Sequence, residues 1–150
     1  MQLILFALNV LWFITGGVIA GLAWCFAAVI MAITIIGLPW ARSCFMLARF
    51  SFWPFGYDIV ARDQLYGRDD IGTGALGTVG NVIWFVLAGW WLALMHIFAA
   101  VAYAITIIGI PFAWQHVKLA VASLFPVGKT VVSTDRLWGQ LPQFKQIQKA

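Results

Sequence analysis

Two histidines and two cysteines are the side chains in this sequence best suited to acid–base, metal or thiol chemistry. His96 and His116 lie 20 residues apart, with no carboxylate near either of them in the sequence. A zinc site or a catalytic histidine needs a third ligand or an orienting acid. Cys25 and Cys44 form no CxxC pair, so they do not indicate a metal site. Because nucleophile elbow, P-loop and dinucleotide motifs are also missing, the sequence predicts no enzyme, no catalytic residue, no metal and no cofactor.

Four polar side chains recur at equivalent places within otherwise apolar stretches: Asn9 and Asn81, and Thr34 and Thr106. Polar groups inside a membrane tend to be functional, and a pore must present such groups on its axis. These four residues are therefore candidates to line a pore. The alternative is structural: the asparagines would hydrogen-bond across packed helices, and each threonine would bond to a carbonyl of the preceding helical turn.

Three basic residues follow the apolar stretches. Arg42 and Arg49 are seven residues apart, which places them on one face of a helix, and Phe45 and Phe50 add apolar area. This pattern is typical of an interfacial amphipathic helix. Arg42, Arg49 and Lys118 are then expected either to contact anionic lipid headgroups or to surround the cytoplasmic mouth of a pore.

The elements that carry these residues must be largely embedded in a membrane. Of the 150 residues, 63% are hydrophobic and 9% are charged, with a net charge of +4, whereas about a quarter of the residues in a soluble domain are charged. Residues 1–41 and 71–117 contain no charged residue, and a membrane helix needs about 20 apolar residues. A cleaved signal would begin with positive charge, but the first charged side chain is Arg42. The basic residues flank the apolar segments, which indicates a membrane border and no nucleic-acid partner.

The chain is an internal duplication. Shifted by 72 residues, positions 9–63 align with positions 81–135 without a gap, and 25 of these 55 positions are identical. The identities include Asn, Gly, Pro and Asp residues, which hydrophobic composition alone would not bring into register. The sequence therefore predicts a first membrane repeat over residues 1–63, a polar connector over 64–80, a second membrane repeat over 81–135 and a polar tail over 136–150.

Each repeat is predicted to form a helical hairpin. The stretch from Leu3 to Ile36 would be about 51 Å long as one helix, whereas the hydrocarbon core is only about 30 Å thick. Gly16–Gly17 and Gly21 favour a break near the middle of this stretch, with hairpins that either cross the membrane, giving four crossings, or are re-entrant. A duplicated Gly-Leu/Ile-Pro motif is predicted to terminate helices; its residues are Gly37, Pro39, Gly109 and Pro111.

The distribution of basic residues predicts the orientation. Both polar regions are basic, and Lys and Arg are enriched on the cytoplasmic side, so both regions and the C-terminus are predicted to be cytoplasmic. The repeats would then be parallel, about an axis along the membrane normal. Short β-branched runs at residues 59–60 and 131–134 predict a small cytoplasmic β element. The predicted fold is an all-α membrane protein of two tandem parallel repeats of a transmembrane or re-entrant helical hairpin, each with an interfacial amphipathic helix, plus this β element.

Several distinctive segments resemble a known family. They are residues 38–39 with 42–44, residues 89–92 with 94–96, residues 107–111 and residues 125–128. With the duplication, these segments resemble the YccF family of small bacterial inner-membrane proteins, and the resemblance extends to about Asp135. It implies a multi-pass protein of the bacterial inner (cytoplasmic) membrane and supplies no catalytic residues.

Two classes of function remain open at this stage. The first is a homo-oligomeric pore or passive channel for small ions, with a preference for anions because the apolar stretches hold no carboxylate for a cation-selective ring. The second is a non-transporting membrane scaffold or lipid-binding module. The expected partners are membrane lipids and further copies of the same chain, with small ions as the passing species of a pore.

Overall fold

The computed structural model describes residues 1–139, and within them each repeat forms a long helix, a shorter helix and a strand. The prediction of a mostly helical chain with two tandem repeats is confirmed. The first repeat contains α1 (Gln2–Ile33), α2 (Leu38–Phe52) and β1 (Tyr57–Ala61), and the short helix α3 (Arg62–Tyr66) follows. The second repeat contains α4 (Ala75–Ala104), α5 (Ile110–Leu124) and β2 (Lys129–Ser133). Most of the predicted polar tail lies outside the described residues.

Neither long helix reverses direction at the glycines where the sequence suggested a break, although α1 is kinked at Gly16, whose backbone torsions (φ 172°, ψ −20°) are not helical. Each contains one π-helical turn, at Phe13–Gly17 in α1 and at Phe85–Gly89 in α4. The expected hairpin turn near Gly16–Gly17 is therefore wrong. A Cβ on Gly17 would lie 3.0 Å from the Ser51 carbonyl oxygen, so the glycine permits close approach of α2. Both helices are long and apolar enough to cross a membrane, at about 45–48 Å.

The turn of each hairpin lies after the long helix. Gly37 is the N-cap of α2 and Pro39 lies in its first turn, while Gly109 and Pro111 hold the same places in α5. Proline is favoured there because its missing N–H has no partner within the first turn. The motif predicted to end the long helix thus begins the next one, and α1 itself ends at Ile33.

The predicted amphipathic helix is the second arm of the hairpin. Its buried residues, which pack against the first arm and the rest of the core, are Ser43, Cys44, Leu47, Ala48, Phe50 and Ser51. Arg42 and Arg49 lie on the opposite, exposed face. The helix is amphipathic as predicted, but about half of its circumference is committed to protein contacts.

The two repeats meet about a pseudo-two-fold axis. In the antiparallel sheet, Ile59 pairs with Val131, its own counterpart 72 residues later. The Trp24 ring stacks on the His96 ring with centroids 6.4 Å apart, and these positions are also counterparts. Residues that touch their own counterparts must lie beside the axis, so it passes through the centre of the sheet and between the two long helices.

The long helices run side by side in opposite directions. Trp12, near the start of α1, stacks on Tyr103, near the end of α4. Met31, near the end of α1, lines the same cavity as Trp84 and Ala88, in the first half of α4. The axis is therefore roughly perpendicular to both helices, and the sheet lies on one side of the molecule.

Candidate functional site

The asparagines proposed as pore-lining residues are bonded inside their own repeats. Asn9 is 1% exposed; its Nδ2 donates to the Phe55 carbonyl at 2.9 Å, and its Oδ1 accepts from the Phe55 N–H at 2.9 Å. Asn81 makes the same pair of bonds to Val127, at 3.0 and 2.9 Å. Each side chain fastens the first turns of a long helix to the Pro-x-Gly turn that precedes a strand.

The two threonines occupy the hairpin turns. The Thr34 hydroxyl donates to the Met31 carbonyl at 2.8 Å and accepts from the Gly37 N–H at 3.2 Å. Thr106 repeats this arrangement with Tyr103 and Gly109. Both hydroxyls thus satisfy backbone groups left free where one helix ends and the next begins.

The three predicted basic residues lie at two places, with Lys118 and Arg49 near Tyr57 of the sheet and Arg42 apart from them. Lys118 donates to the Tyr57 carbonyl at 3.4 Å and lies 3.3 Å from the Asp58 carboxylate, so it joins α5 to β1. Arg49 lies on the exposed face of α2, beside Tyr57 and Val131 of the sheet. Arg42 lies at the other end of α2, beside the connector. The three side chains do not form one cluster.

A further ion pair fastens the connector to the sheet. The Arg62 guanidinium donates to the Asp70 carboxylate at 2.6 and 2.9 Å and to the Lys129 carbonyl at 3.4 Å. The N–H groups of Gly72 and Thr73 donate to the same carboxylate at 2.7 and 3.1 Å. The hydrogen bond from Arg62 is the main reason that the pKa of Asp70 lies well below its usual range. The charges of this pair cancel.

An amphipathic groove of about 650 Å³ lies between the start of α2, the connector and the first turns of α4. Arg42 and the Arg62–Asp70 ion pair lie at its polar rim. The indole N–H of Trp40 donates to the Gly80 carbonyl at 3.1 Å, so this lining hydrogen bond joins α2 to α4. The apolar walls of the groove are formed by Trp40, Ile71, Leu76, Val79 and Ile83.

The two arginines at the rim have no basic counterpart in the second repeat. The position equivalent to Arg42 is Trp114, and the position equivalent to Arg62 is Thr134. The two cations at the rim are therefore a property of the first repeat alone.

The two histidines that seemed unrelated in sequence meet within the second repeat, where α4 packs against α5. Their Nδ1 atoms are 3.1 Å apart, so one ring donates and the other accepts. Trp12, Trp24 and Tyr103 surround the pair. The signal that could have found this contact is the position of Thr106, midway between the two histidines, since residues at equal distances from a hairpin turn lie opposite each other. Within residues 1–139, no group of three His, Cys, Asp or Glu side chains could hold a metal ion.

Comparison with known proteins adds a family assignment to this geometry. A family model described as an inner membrane component domain matches twice, over residues 7–57 and 79–129. The inner membrane protein YccF of Escherichia coli (strain K12) is 40% identical over 131 residues, which cover 85% of this chain and 87% of the relative. The protein of the same name from Shigella flexneri matches with the same identity and coverage. No solved structure matches the chain.

Proposed function

Because this chain belongs to the YccF family of inner-membrane proteins, we propose that it is a non-transporting, lipid-binding module that enters the bilayer from one face. The observation that carries this proposal is the separation of charge from the long helices. The charged side chains of residues 1–139 lie on the shorter helices, the connector and the sheet or immediately after it, whereas α1 and α4 carry none.

The pseudo-two-fold axis gives this separation a direction. If the axis lay in the membrane plane, the sheet would lie at the middle of the bilayer with Asp58, Lys118 and Lys129 beside it. A charged residue at that depth costs about 2.5–3.5 kcal/mol even by the lower estimates. If the axis lies along the membrane normal, the same residues reach the headgroup layer. We therefore take the axis to be along the normal, with both repeats entering from the cytoplasmic side.

This orientation favours re-entrant hairpins. Two helices that run in opposite directions across an axis along the normal lie at a shallow angle to the membrane plane, so their length of about 45–48 Å does not require a full crossing. Their exposed apolar side chains, such as Phe6, Leu22 and Phe26 on α1, would contact acyl chains. The arginines on α2 would contact headgroups, where a basic residue near an anionic leaflet contributes about 1 kcal/mol.

A homo-oligomeric pore for small ions, with an anion preference, is the second candidate. The pore is favoured by the cationic side chains at the sheet, such as Lys118 and Lys129, and by the absence of charged residues from α1 and α4. The non-transporting function is preferred because both polar atoms of each asparagine amide are already bonded to backbone. An oligomer that used Asn9 on its axis would have to break those bonds.

The proposal is tested by cysteine accessibility and by ion flux. In a background with Cys25→Ala and Cys44→Ala, single cysteines replace Ile36 and Ile108 at the hairpin turns and Arg68 in the connector. We expect an impermeant maleimide to label the Arg68→Cys protein only after the inner membrane is permeabilised, and to label neither turn in intact cells. Proteoliposomes should show no chloride or potassium flux above that of empty vesicles.

Labelling of either hairpin turn from the periplasm would instead establish a full crossing and reject one-face entry. Chloride flux that depends on the protein would favour the pore. As a control for folding, each cysteine variant should elute from a sizing column in detergent at the same volume as the parent protein.

A further inference from the structure

We infer that the groove between α2, the connector and α4 is a binding site for one anionic phospholipid, whose phosphate is held by Arg42. This inference deepens the proposed lipid-binding function and rests on it. It names a single site, a headgroup charge and a stoichiometry of one lipid per chain.

The shape of the groove fits an amphiphile. Its volume of about 650 Å³ lies within the range of about 300–1,000 Å³ that is usual for small-molecule sites. Ile71 and Leu76 on its walls are 82% and 73% exposed, although the groove lies beside the charged connector. A ligand with an apolar part would cover these side chains while its polar end stayed at the rim. A phospholipid at the edge of the bilayer has both parts.

The charge of the rim selects an anion. Arg62 is neutralised by Asp70, whereas Arg42 is exposed and takes part in neither of the two salt bridges found among residues 1–139. The rim therefore carries a net positive charge. A guanidinium matches the oxygens of a phosphate in a two-pronged hydrogen bond.

The first turn of α4 adds to this potential. Leu76 and Gly77 line the groove and belong to the first turn of a helix of 30 residues, whose early N–H groups and dipole favour an anion nearby. This contribution is secondary, since the arginine and the shaped cavity define the site. A zwitterionic lipid would bind less tightly than an anionic one, because its positively charged group is repelled by the positive charge of Arg42.

Arg42 and Arg49 form a matched pair for the experiment. Both lie on the exposed face of α2, and replacing either with glutamine removes one positive charge. Only Arg42 lines the groove, whereas Arg49 lies beside the sheet. A general attraction between a basic surface and anionic lipids would be weakened equally by the two substitutions, but a specific site would not.

The measurement is lipid binding to the full chain in a neutral detergent. Phosphatidylglycerol and phosphatidylcholine with identical acyl chains are titrated, and bound lipid is counted by native mass spectrometry. We expect one phosphatidylglycerol per wild-type chain, bound at least about tenfold more tightly than phosphatidylcholine. Arg42→Gln should bind phosphatidylglycerol about tenfold more weakly than wild type, since the loss of a hydrogen bond between charged groups typically weakens binding by about this factor. Arg49→Gln should remain within about twofold of wild type, and Arg42→Lys should retain part of the preference.

Two further arms separate the alternatives. Val79→Trp narrows the groove and should weaken the binding of both lipids. This variant tests the site while Arg42 stays unchanged. Inorganic phosphate and glycerol 3-phosphate should not displace the lipid at millimolar concentration; displacement would mean a soluble phosphate ligand and would overturn the lipid assignment.

The outcomes also distinguish this inference from the proposed function. Equal losses in Arg42→Gln and Arg49→Gln would overturn the groove site while general lipid binding survived. A wild-type chain that binds neither lipid and conducts chloride in vesicles would overturn both.

Discussion

Replacement of Asn9 by alanine tests whether the duplicated asparagines are structural or line a pore. The substitution leaves the carbonyl and the N–H of Phe55 without their partners at a site where Asn9 itself is 1% exposed. A buried donor or acceptor without a partner costs about 1–3 kcal/mol. We therefore expect Asn9→Ala to lose about 3 kcal/mol of unfolding free energy after partial relaxation.

The second repeat provides the matched control for this prediction. Asn81 makes the same two bonds, but it is only half-buried, so water can replace part of what alanine removes. Asn81→Ala should lose about 1 kcal/mol by the same reasoning. The order of the two variants, with Asn9→Ala the less stable, follows from burial alone.

The assay is thermal unfolding in detergent, followed by the fluorescence of the nine tryptophans. For a chain of this size, 1 kcal/mol shifts the midpoint by about 2–4 °C, so Asn9→Ala should unfold about 10 °C below wild type. A midpoint within about 2 °C of wild type, together with altered ion flux in vesicles, would refute the structural role. That result would return Asn9 to the axis of a pore.

Three further predictions follow from single contacts. Trp84→Phe removes the indole N–H that donates to a carbonyl at the end of α5 at 2.8 Å, and it should lower the unfolding free energy by about 1–2 kcal/mol in the same fluorescence assay. Gly109→Ala would drive a methyl group into the Tyr103 backbone carbonyl, whereas Gly80→Ala meets nothing closer than 3.8 Å; thermal unfolding should show a loss of at least about 2 kcal/mol for the first and less than about 0.5 for the second. Because the folded-state pKa of Asp70 is lowered by Arg62, its ionised form stabilises the fold above the ordinary carboxyl pKa of about 4, and this contribution is lost as the pH falls further. The difference in unfolding midpoint between wild type and Asp70→Asn should therefore stay constant from about pH 8 to pH 5 and shrink below about pH 4.

The duplication made much of the fold predictable, but the glycines in the middle of the long apolar stretch led to a wrong position for the hairpin turn. Glycines in the middle of a long apolar stretch favour a break when only the local sequence is considered. At Gly17 the glycine instead makes room for the Trp12 ring and the Ser51 carbonyl. That requirement comes from a residue 34 positions away, and no local pattern contains it. The true turn follows Ile33, where Thr34 and Gly37 satisfy the backbone.

The partner of each strand was not predicted, because a single strand segment does not indicate its own partner. The β-branched runs at residues 59–60 and 131–134 predicted a small β element, and the two-stranded sheet confirms it. Each run alone has no indication of its partner, because pairing depends on how the two repeats pack. A two-fold relation between repeats makes each strand pair with its own copy, and that rule could have been applied once the duplication was recognised.

The positions where the two repeats have diverged carry the functional argument. Identical residues in both copies, such as the asparagines and the Gly-Leu/Ile-Pro motif, form the same structural contacts twice, so their repetition follows from folding one hairpin twice. Arg42 in one copy and Trp114 in the other occupy equivalent exposed positions, where neither is needed for packing. Selection for a ligand would act on a difference of this kind, which folding does not require. The search for a bound lipid should therefore begin beside Arg42, before a search for a pore on the symmetry axis.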